Sequence, residues 1–558
     1  MSLINSSNGD PMIPKSVTAL KHYSVSKFIS DLVAGVTVGL VALPLAMAFA
    51  ISSGVQPQAG LYCAIVAGFI ISALGGSMTQ IGGPTGAFVV VVAGIVQKHG
   101  MDGLFMCTLL AGVFLAILGL TGLGTAVKYI PRPVVIGFTN GIAVLIASTQ
   151  IKDFFGLQIK SVPSEFPARM QVLFQHLNTI QLQPTVVAVG SLATIILMTK
   201  FVKRVPGSIV ALFVGTTVVW VLKLPLDTIE SKFGGIPGGL PRFHMPSFRA
   251  DLILPLLSPA LTVTMLGAIE SLLSAVVADR MSGTKHNPNM ELCAQGVANI
   301  MSPLFGGLPA TGAIARTATN IRSGAKTPVA GMIHALTLLV ILLFAAPLAK
   351  HIPLCILASI LFVVSYNMGE WAEIPEILKL SKADISVWII TFFLTVFADL
   401  TVAVEAGMIL AALLYIGKVT STTTVARVTH EYVEDGRPHS LQTNEIPDGV
   451  AVYRIHGPFL FGSTDKLTLV EDELSELPPI VMLRLRNMTA IDATGLNALE
   501  NLADRLHKSG RQLIVCGMRD QPARLIAKAE FHRRLGDENI VASLADGVRR
   551  AKEIQALG

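Results

Sequence analysis

Charge is what this chain has least of. Only 14% of its 558 residues are Asp, Glu, Lys or Arg, whereas 52% are hydrophobic; a soluble globular chain carries about a quarter charged residues. Together with a mean hydropathy of +0.63, this excludes an ordinary soluble protein and points to a polytopic membrane protein. Cysteine is scarce as well. The five (Cys63, Cys107, Cys293, Cys355 and Cys516) are scattered, four of them in apolar segments. No pair has metal-ligand spacing, so they read as small hydrophobes and no metal site is expected. Also missing are a phosphate-cradling loop, a zincin helix and a nucleophile elbow, which leaves an enzyme, or a cofactor, without residues to stand on. The net charge of +6 is modest and reads as cytoplasmic Lys and Arg of a membrane protein rather than as a nucleic-acid surface. The first 27 residues are polar and hold no apolar core, so no cleaved signal peptide is expected and the first membrane helix serves for insertion.

The charge that is present is unevenly placed. Long stretches of 28–417 are nearly free of it, whereas 427–558 is rich in Asp, Glu, Lys and Arg. That step marks a domain boundary near 418–440. The expected layout is a cytoplasmic segment 1–27, a membrane domain 28–420, a linker with an extended strand over 421–448, and a compact αβ domain over 449–558. In the last, Val450–Ile455, Ile480–Leu485 and Gln512–Cys516 have the pattern of strands, and Ala493–Leu506 and Ala523–Ala529 that of helices.

Two Gly-rich strings organise the membrane domain. Gly82-Gly83-Pro84-Thr85-Gly86-Ala87-Phe88 runs straight into the apolar segment Val89–Val96. A helix can begin there but cannot pass through, because Pro84 lacks an N–H and the glycines lack side chains. A helix that begins inside a membrane protein presents free N–H groups and a positive dipole end, which attract anions. The second string, Gly307-Leu308-Pro309-Ala310-Thr311-Gly312-Ala313, lies far downstream.

Apolar spans fall at 31–51, 60–76, 85–97, 103–122, 133–150, 184–201 and 206–223, then at 255–279, 291–305, 312–321, 328–348, 353–367, 384–399 and 401–417. That makes seven and seven, in repeats of about 28–224 and 253–420. The third span of each set is too short to cross and opens with the interrupted string, the pattern that marks a transporter binding site. Lys15, Lys21 and Lys27, Lys128 and Arg132, Lys200, Lys203 and Arg204, Arg280 and Lys285, Arg322 and Lys326, and Lys379 and Lys382 all fall on one side. The positive-inside rule makes that side the cytoplasm, holding both the N-terminus and the C-terminal domain. With seven spans each, the second half is inverted relative to the first. Cys63-Ala64, Gly75-Gly76 and the first string recur in order as Cys293-Ala294, Gly306-Gly307 and the second.

Asp31-Leu32-Val33-Ala34-Gly35-Val36-Thr37-Val38-Gly39, with Leu43-Pro44-Leu45-Ala46-Met47-Ala48-Phe49-Ala50 and Gly60-Leu61-Tyr62, resembles the opening signature of the SulP sulfate-permease family of anion transporters. Asn487-Met488-Thr489-Ala490-Ile491-Asp492-Ala493-Thr494-Gly495-Leu496 resembles the Asp-x-(Ser/Thr)-Gly loop of a STAS domain. The resemblance implies a fourteen-segment helical membrane protein, a 7+7 inverted repeat with core and gate subdomains and a small cytoplasmic α/β STAS domain. It further implies an elevator-like shift, a homodimer, and an anion held between the N-termini of the third and tenth segments, beside the first and eighth. Carried onto this chain, the substrate site is Ala46, Phe49, Pro84, Thr85, Gly86, Ala87, Thr311, Gly312, Ala313 and Arg316. The hydroxyls of Thr85 and Thr311 either contact the anion or cap their own helices.

Arg316 stands out in an apolar half-helix, where an unpaired cation is costly. It matches the Arg of a Ser-Arg pair that the resemblance implies, with Ala315 in place of the Ser, and it either attracts the anion or holds an intramembrane acid. Glu270 lies in the apolar run Leu266–Ser274. Carboxyl groups in apolar surroundings can take up and release protons near neutrality, so Glu270 is the expected proton-coupling residue; the alternative, a fixed counter-ion to Arg316, is compatible with that role. Sodium-using members carry Asp and Thr at the positions of Glu270 and Ser274, so this chain favours protons. Asn140 is expected to hydrogen-bond between helices, Asp399 to cap the last turn and Glu405 to face the gate. Asp279, Arg280, Lys285 and His286 are expected to form a solvated loop. Asp492 and Thr494 are the regulatory candidates: Thr494 matches a position phosphorylated in antagonist proteins of the STAS type, and N-capping by either residue is the alternative.

The expected function is proton-coupled uptake of a small oxyanion (sulfate, bicarbonate or a C4-dicarboxylate) across the plasma (inner) membrane, with a STAS domain open to a soluble partner. The rivals are an anion channel or uncoupled exchanger on the same scaffold, and a membrane anion sensor signalling through the STAS domain.

Overall fold

The computed structural model describes residues 12–125, 131–159, 162–202, 206–243, 245, 249–398, 400–428, 446–472 and 474–557. Asp399, Lys128, Lys203, Arg204 and most of the linker lie outside the described residues. The membrane helices of the first repeat are α1 (Val25–Ser52), α2 (Pro57–Leu74), α3 (Phe88–Leu120), α4 (Arg132–Phe155), α5 (Leu182–Phe201) and α6 (Gly207–Val221). Those of the second are α7 (Ile253–Ser282), α8 (Pro288–Leu304), α9 (Ile314–Arg322), α10 (Val329–Ala349), α11 (Leu354–Met368), α12 (Lys382–Phe397) and α13 (Leu400–Thr422). The expected break between 97 and 103 is present as a bend. Gly100, at φ 70° and ψ −170°, interrupts α3 and divides it into two arms. Counting both arms gives seven segments per repeat, each matching one expected span.

One short strand lies between the second and third segments of each repeat. β1 (Gly82–Gly83) and β2 (Thr311–Gly312) pair antiparallel, Gly82 opposite Gly312 and Gly83 opposite Thr311. The two Gly-rich strings therefore cross one another. A backbone that runs in from both sides without helical hydrogen bonds must find partners elsewhere, and each string supplies them to the other; Ala313 N also donates to Ile81 O at 2.8 Å.

Packing sorts the helices into two groups. In one, α8 packs on α2 and α3, α10 on α1 and α2, α7 on α3, and α9 on α7 and α1. In the other, α12 and α11 pack on α4, α11 also on α5, and α5 on α6. The first group, which carries both strings, is the core subdomain and the second is the gate. Close approach within the core is set by small residues: the Ala46 carbonyl lies 1.9 Å from where a Cβ on Gly60 would stand, so α1 and α2 touch backbone to backbone. Asp31, in the resemblance signature, is fully buried. Its carboxylate accepts from Lys326 N at 2.7 Å, from Thr327 N at 3.1 Å and from Tyr23 Oη at 3.1 Å, tying the start of α1 to the loop that ends α9. Phe213, Trp220 and Phe344 project from α6 and α10 with their rings exposed, as lipid-facing side chains do.

The chain divides into two compact units, Met1–Ile409 and Leu410–Gly558. In the second, β3 (Thr424–Arg427), β4 (Val450–Phe459), β5 (Ile480–Ile491), β6 (Gln512–Cys516) and β7 (Ile540–Val541) form one sheet in that order. β3 is antiparallel to β4 and the other pairs are parallel. Strand alternation puts Tyr453, Leu483 and Val515 on one face, packed by Leu499, Leu502 and Leu506 of α14 (Ala493–Lys508) and Ile526 of α15 (Asp520–Lys528). Val452, Met482 and Ile514 are on the other, covered by Leu544, Val548 and Ala551 of α16 (Leu544–Leu557). Both faces of a mainly parallel sheet must be covered, and they are.

Candidate functional site

The crossing of β1 and β2 is held against α7 by side chains from both strings. Thr85 Oγ1 donates to Glu270 Oε2 at 2.9 Å, and Thr311 Oγ1 donates to the Gly267 carbonyl at 2.9 Å. This overturns the capping alternative. The N-cap residues of α3 and α9 are Ala87 and Ala313, and neither carries a side-chain cap. The start of α9 keeps the N–H groups that a helix start leaves, whereas at the start of α3 Phe88 N and Val89 N turn back onto the Thr85 and Gly86 carbonyls at 3.3 and 3.0 Å. Thr311 is fully buried and Thr85 nearly so.

Arg316 is 3% exposed. Its guanidinium reaches from α9 across to the first string, where it donates to the Pro84 carbonyl and lies 2.8 Å from the position of a Cβ on Gly83. Gly83 has φ +144°, a conformation that excludes L side chains, and its missing side chain is the space Arg316 fills. Arg316 forms no ion pair with Glu270; the nearest partners are a carbonyl for one and a hydroxyl for the other. Each charge still acts on the other across the crossing, so Glu270 faces Arg316 as a counter-ion without direct contact. A buried cation that has only a carbonyl partner keeps donors to spend, since a guanidinium carries five N–H bonds.

The remaining expected residues line the same junction from two directions. Gly86 faces Phe49 of α1 and two gate residues, Ile146 of α4 and Met368 of α11, whose atoms lie 3.3, 2.8 and 3.1 Å from a Cβ placed there. Ala87 and Ala313 are buried. Gly312 lies under Gln80, whose Nε2 would be 1.8 Å from an added Cβ. Ala46 is buried against α2, its carbonyl facing Gly60. Pro84, Thr85, Gly86, Gly312, Arg316 and Glu270 are brought together.

Sequence reasoning missed the support behind the crossing. Gln80 Nε2 donates to Ser271 Oγ at 3.1 Å, and Ser271 Oγ faces Glu291 Oε1 at 3.5 Å. Glu291, fully buried, also accepts from Gly76 N at 2.9 Å and from Gln295 Nε2 at 3.1 Å. Asn299 then holds the second string, accepting from Ala310 N and donating to Ala310 O, both at 2.8 Å. Glu291, Gln295 and Asn299 are four residues apart, one polar stripe along α8; that spacing was the available signal. Lower down, Thr317 Oγ1 accepts from Ile81 N at 3.0 Å and lies 3.0 Å from Ser274 Oγ.

Outside the junction, Asn140 Oδ1 accepts from Glu370 N at 3.0 Å, a link between segments as expected. Asp279 and His286 are not a solvated loop. The His286 ring lies 2.6 Å from Asp279 Oδ2, with the two side chains 14% and 19% exposed. Glu405 is exposed. In the second unit Asp492 is the N-cap of α14: Oδ1 accepts from Gly495 N at 2.8 Å and Oδ2 from Phe461 N at 3.0 Å. Thr494 is exposed and does not cap. Burial pushes the Cys516 thiol up to about 12, against the opposing pull of Arg484, so it behaves as a small hydrophobe. Among the described residues no cluster of His, Cys, Asp and Glu has the arrangement of a metal site.

An inverted repeat whose two interrupted segments cross inside the bundle, with a buried arginine and an acid at the crossing, is the architecture of a membrane transporter. The sulfate permease family matches residues 28–391 and the STAS domain residues 442–547. The chain is 40% identical over 522 residues to the putative sulfate transporter YvdB of Bacillus subtilis, covering 93% of this chain and 97% of that one. It is 30% identical over 535 residues to the bicarbonate transporter BicA of Picosynechococcus, with 93% and 94% covered. Its fold matches the murine Solute Carrier 26 family member A9 anion transporter with a TM-score of 0.85 at 18% identity, over 97% of this chain and 94% of that one. The chain belongs to the sulfate permease family, and it is a transporter rather than an enzyme.

Proposed function

We propose that this protein is a secondary active transporter that carries a small oxyanion together with protons. The hydrogen bond between Thr85 and Glu270 carries the reading. It joins the start of the first half-helix, where an anion would be bound by N–H groups, to the one acid at the crossing, so a change at either partner is felt by the other. The proposed anion site is Pro84, Thr85, Gly86, Ala87, Thr311, Gly312, Ala313 and Arg316, with Phe49 beside it and Ala46 behind, and Glu270 is the proposed proton carrier. The relatives named for sulfate and for bicarbonate support an inorganic oxyanion as substrate, and a C4-dicarboxylate is the further candidate. The core, which holds both strings, would slide along the gate at the Gly86 seam, where the facing groups are the flexible ends of Ile146 and Met368.

The protein is proposed to act as a homodimer in the plasma membrane, with the N-terminus and the STAS domain in the cytoplasm. The exposed Thr494, beside the capped start of α14, is the proposed phosphorylation site, where a dianion meets a helix N-terminus. The test is uptake of labelled sulfate, bicarbonate and fumarate into proteoliposomes at two external pH values. Uptake of one of them that rises with an inward proton gradient is expected. Uptake equal at both pH values would replace the coupled transporter by a channel or uncoupled exchanger, and no flux of any of the three would contradict the reading.

A further inference from the structure

Beside the first arm of α3 lies a crevice of about 450 Å³ that none of the site residues lines. Its core wall is Val90, Val91, Gly94 and Ile95, and its gate wall includes Leu145 and Thr395. The mouth carries Lys98, His99 and Glu165. Three features give it a direction. Val90 and Val91 follow the string Pro84–Ala87 by a single helical turn, and Leu145 adjoins Ile146, whose side chain faces Gly86. The crevice floor is thus one apolar layer above the proposed anion site. Pro259, at the start of α7, also lines it, whereas the opposite end of α7 carries Arg280 and its loop Lys285. The mouth therefore opens on the side away from the Lys- and Arg-rich loops, which the positive-inside rule makes the outside. Finally, the walls belong to different subdomains, so relative movement of core and gate would open or close the floor.

We propose that this crevice is the outer access path to the anion site, and that Lys98 and Glu165 set its charge preference. The inference rests on the transport reading above. Lys98 is exposed and makes no ion pair with Glu165 among the described residues, so each charge acts separately on whatever enters. His99, half-buried next to it, adds a polar ring to the mouth. A mouth lined by a cation with apolar walls below raises the local concentration of anions, and the opposed carboxylate limits that preference.

The probe is Gly94→Cys, because a side chain at Gly94 meets open space and the residue is no part of the anion site. The full-length protein in sealed, oriented vesicles is labelled with two membrane-impermeant thiosulfonates of equal size, one anionic and one cationic, from each side, with the unsubstituted protein as the background. Outside labelling is expected to exceed inside labelling, with the anionic reagent favoured. Lys98→Gln should lower the anionic-to-cationic rate ratio by roughly threefold and Glu165→Gln should raise it by a similar factor. Val91→Cys serves as a second probe if the first variant misfolds. Labelling only from inside, or a ratio unmoved by both charge changes, would overturn the proposal. Labelling as expected in a protein that takes up no anion would overturn the transport reading and the access-path role with it, leaving only the charge preference of the crevice mouth.

Discussion

The two crossing strings are alike in backbone and unlike in chemistry. Each begins with glycine and proline, pairs two residues with the other, and starts a helix with an uncapped N-terminus. Both reach α7 through a threonine hydroxyl, Thr85 donating to the Glu270 side chain and Thr311 to the Gly267 backbone carbonyl. The second alone brings a charge, Arg316, and spends it across the crossing on the Pro84 carbonyl of the first. Symmetry thus builds the scaffold and its breaking assigns the roles. The first string faces Glu270, the proposed proton carrier, and the gate, whereas the second supplies the cation and the rigid backing.

That division can be broken most severely at Gly312. An added methyl would push aside the Gln80 amide, whose Nε2 lies at 1.8 Å and holds Ser271, and press the Ser271 Cα at 3.1 Å, so Gly312→Ala should cost about 3 kcal/mol, the upper end of overpacking penalties. Loss of monodisperse protein on size exclusion is expected. Gly86→Ala meets only side-chain ends of Ile146, Met368 and Phe49 and should fold, slowing transport instead. Next in size is Arg316→Gln. Removing a desolvated charge from the proposed anion site should cost about 3 kcal/mol, roughly a hundredfold in affinity, read as the KM for uptake, with the melting temperature measured beside it because Arg316 also holds the Pro84 carbonyl. The pair Thr85→Val and Thr311→Val gives the smallest and sharpest contrast. Each loses one hydrogen bond, about 1 kcal/mol. Thr85→Val should displace the pH profile of uptake by less than about one unit, while Thr311→Val lowers the melting temperature and leaves that profile in place. Equal pH shifts in the two would erase the asymmetry.

Much of the bundle was readable before any coordinates. Hydropathy gave the spans, and the Gly-Pro interruptions marked the two short segments because a helix cannot run through them. The crossing itself was not visible, since antiparallel pairing of residues more than two hundred positions apart leaves no periodicity in either string. Nor was the destination of the threonine hydroxyls: capping is local and readable, whereas Thr85 reaches Glu270, 185 residues away. Glu291 hid for a different reason. It stands at the edge of an apolar span, and only the contacts of the stripe it forms with Gln295 and Asn299 tie it to the strings. Asp279 and His286 were misjudged because spacing alone does not reveal that a polar loop folds back on itself.

The central claim is that protons enter with the anion through Glu270. Liposomes loaded with a pH-sensitive dye and holding the purified protein report both fluxes at once, when labelled anion is added outside at equal starting pH. The lumen should acidify as the label accumulates, and Glu270→Gln should retain label exchange while losing the acidification. Acidification that persists undiminished in Glu270→Gln, or label uptake without any acidification in the unsubstituted protein, would contradict the account.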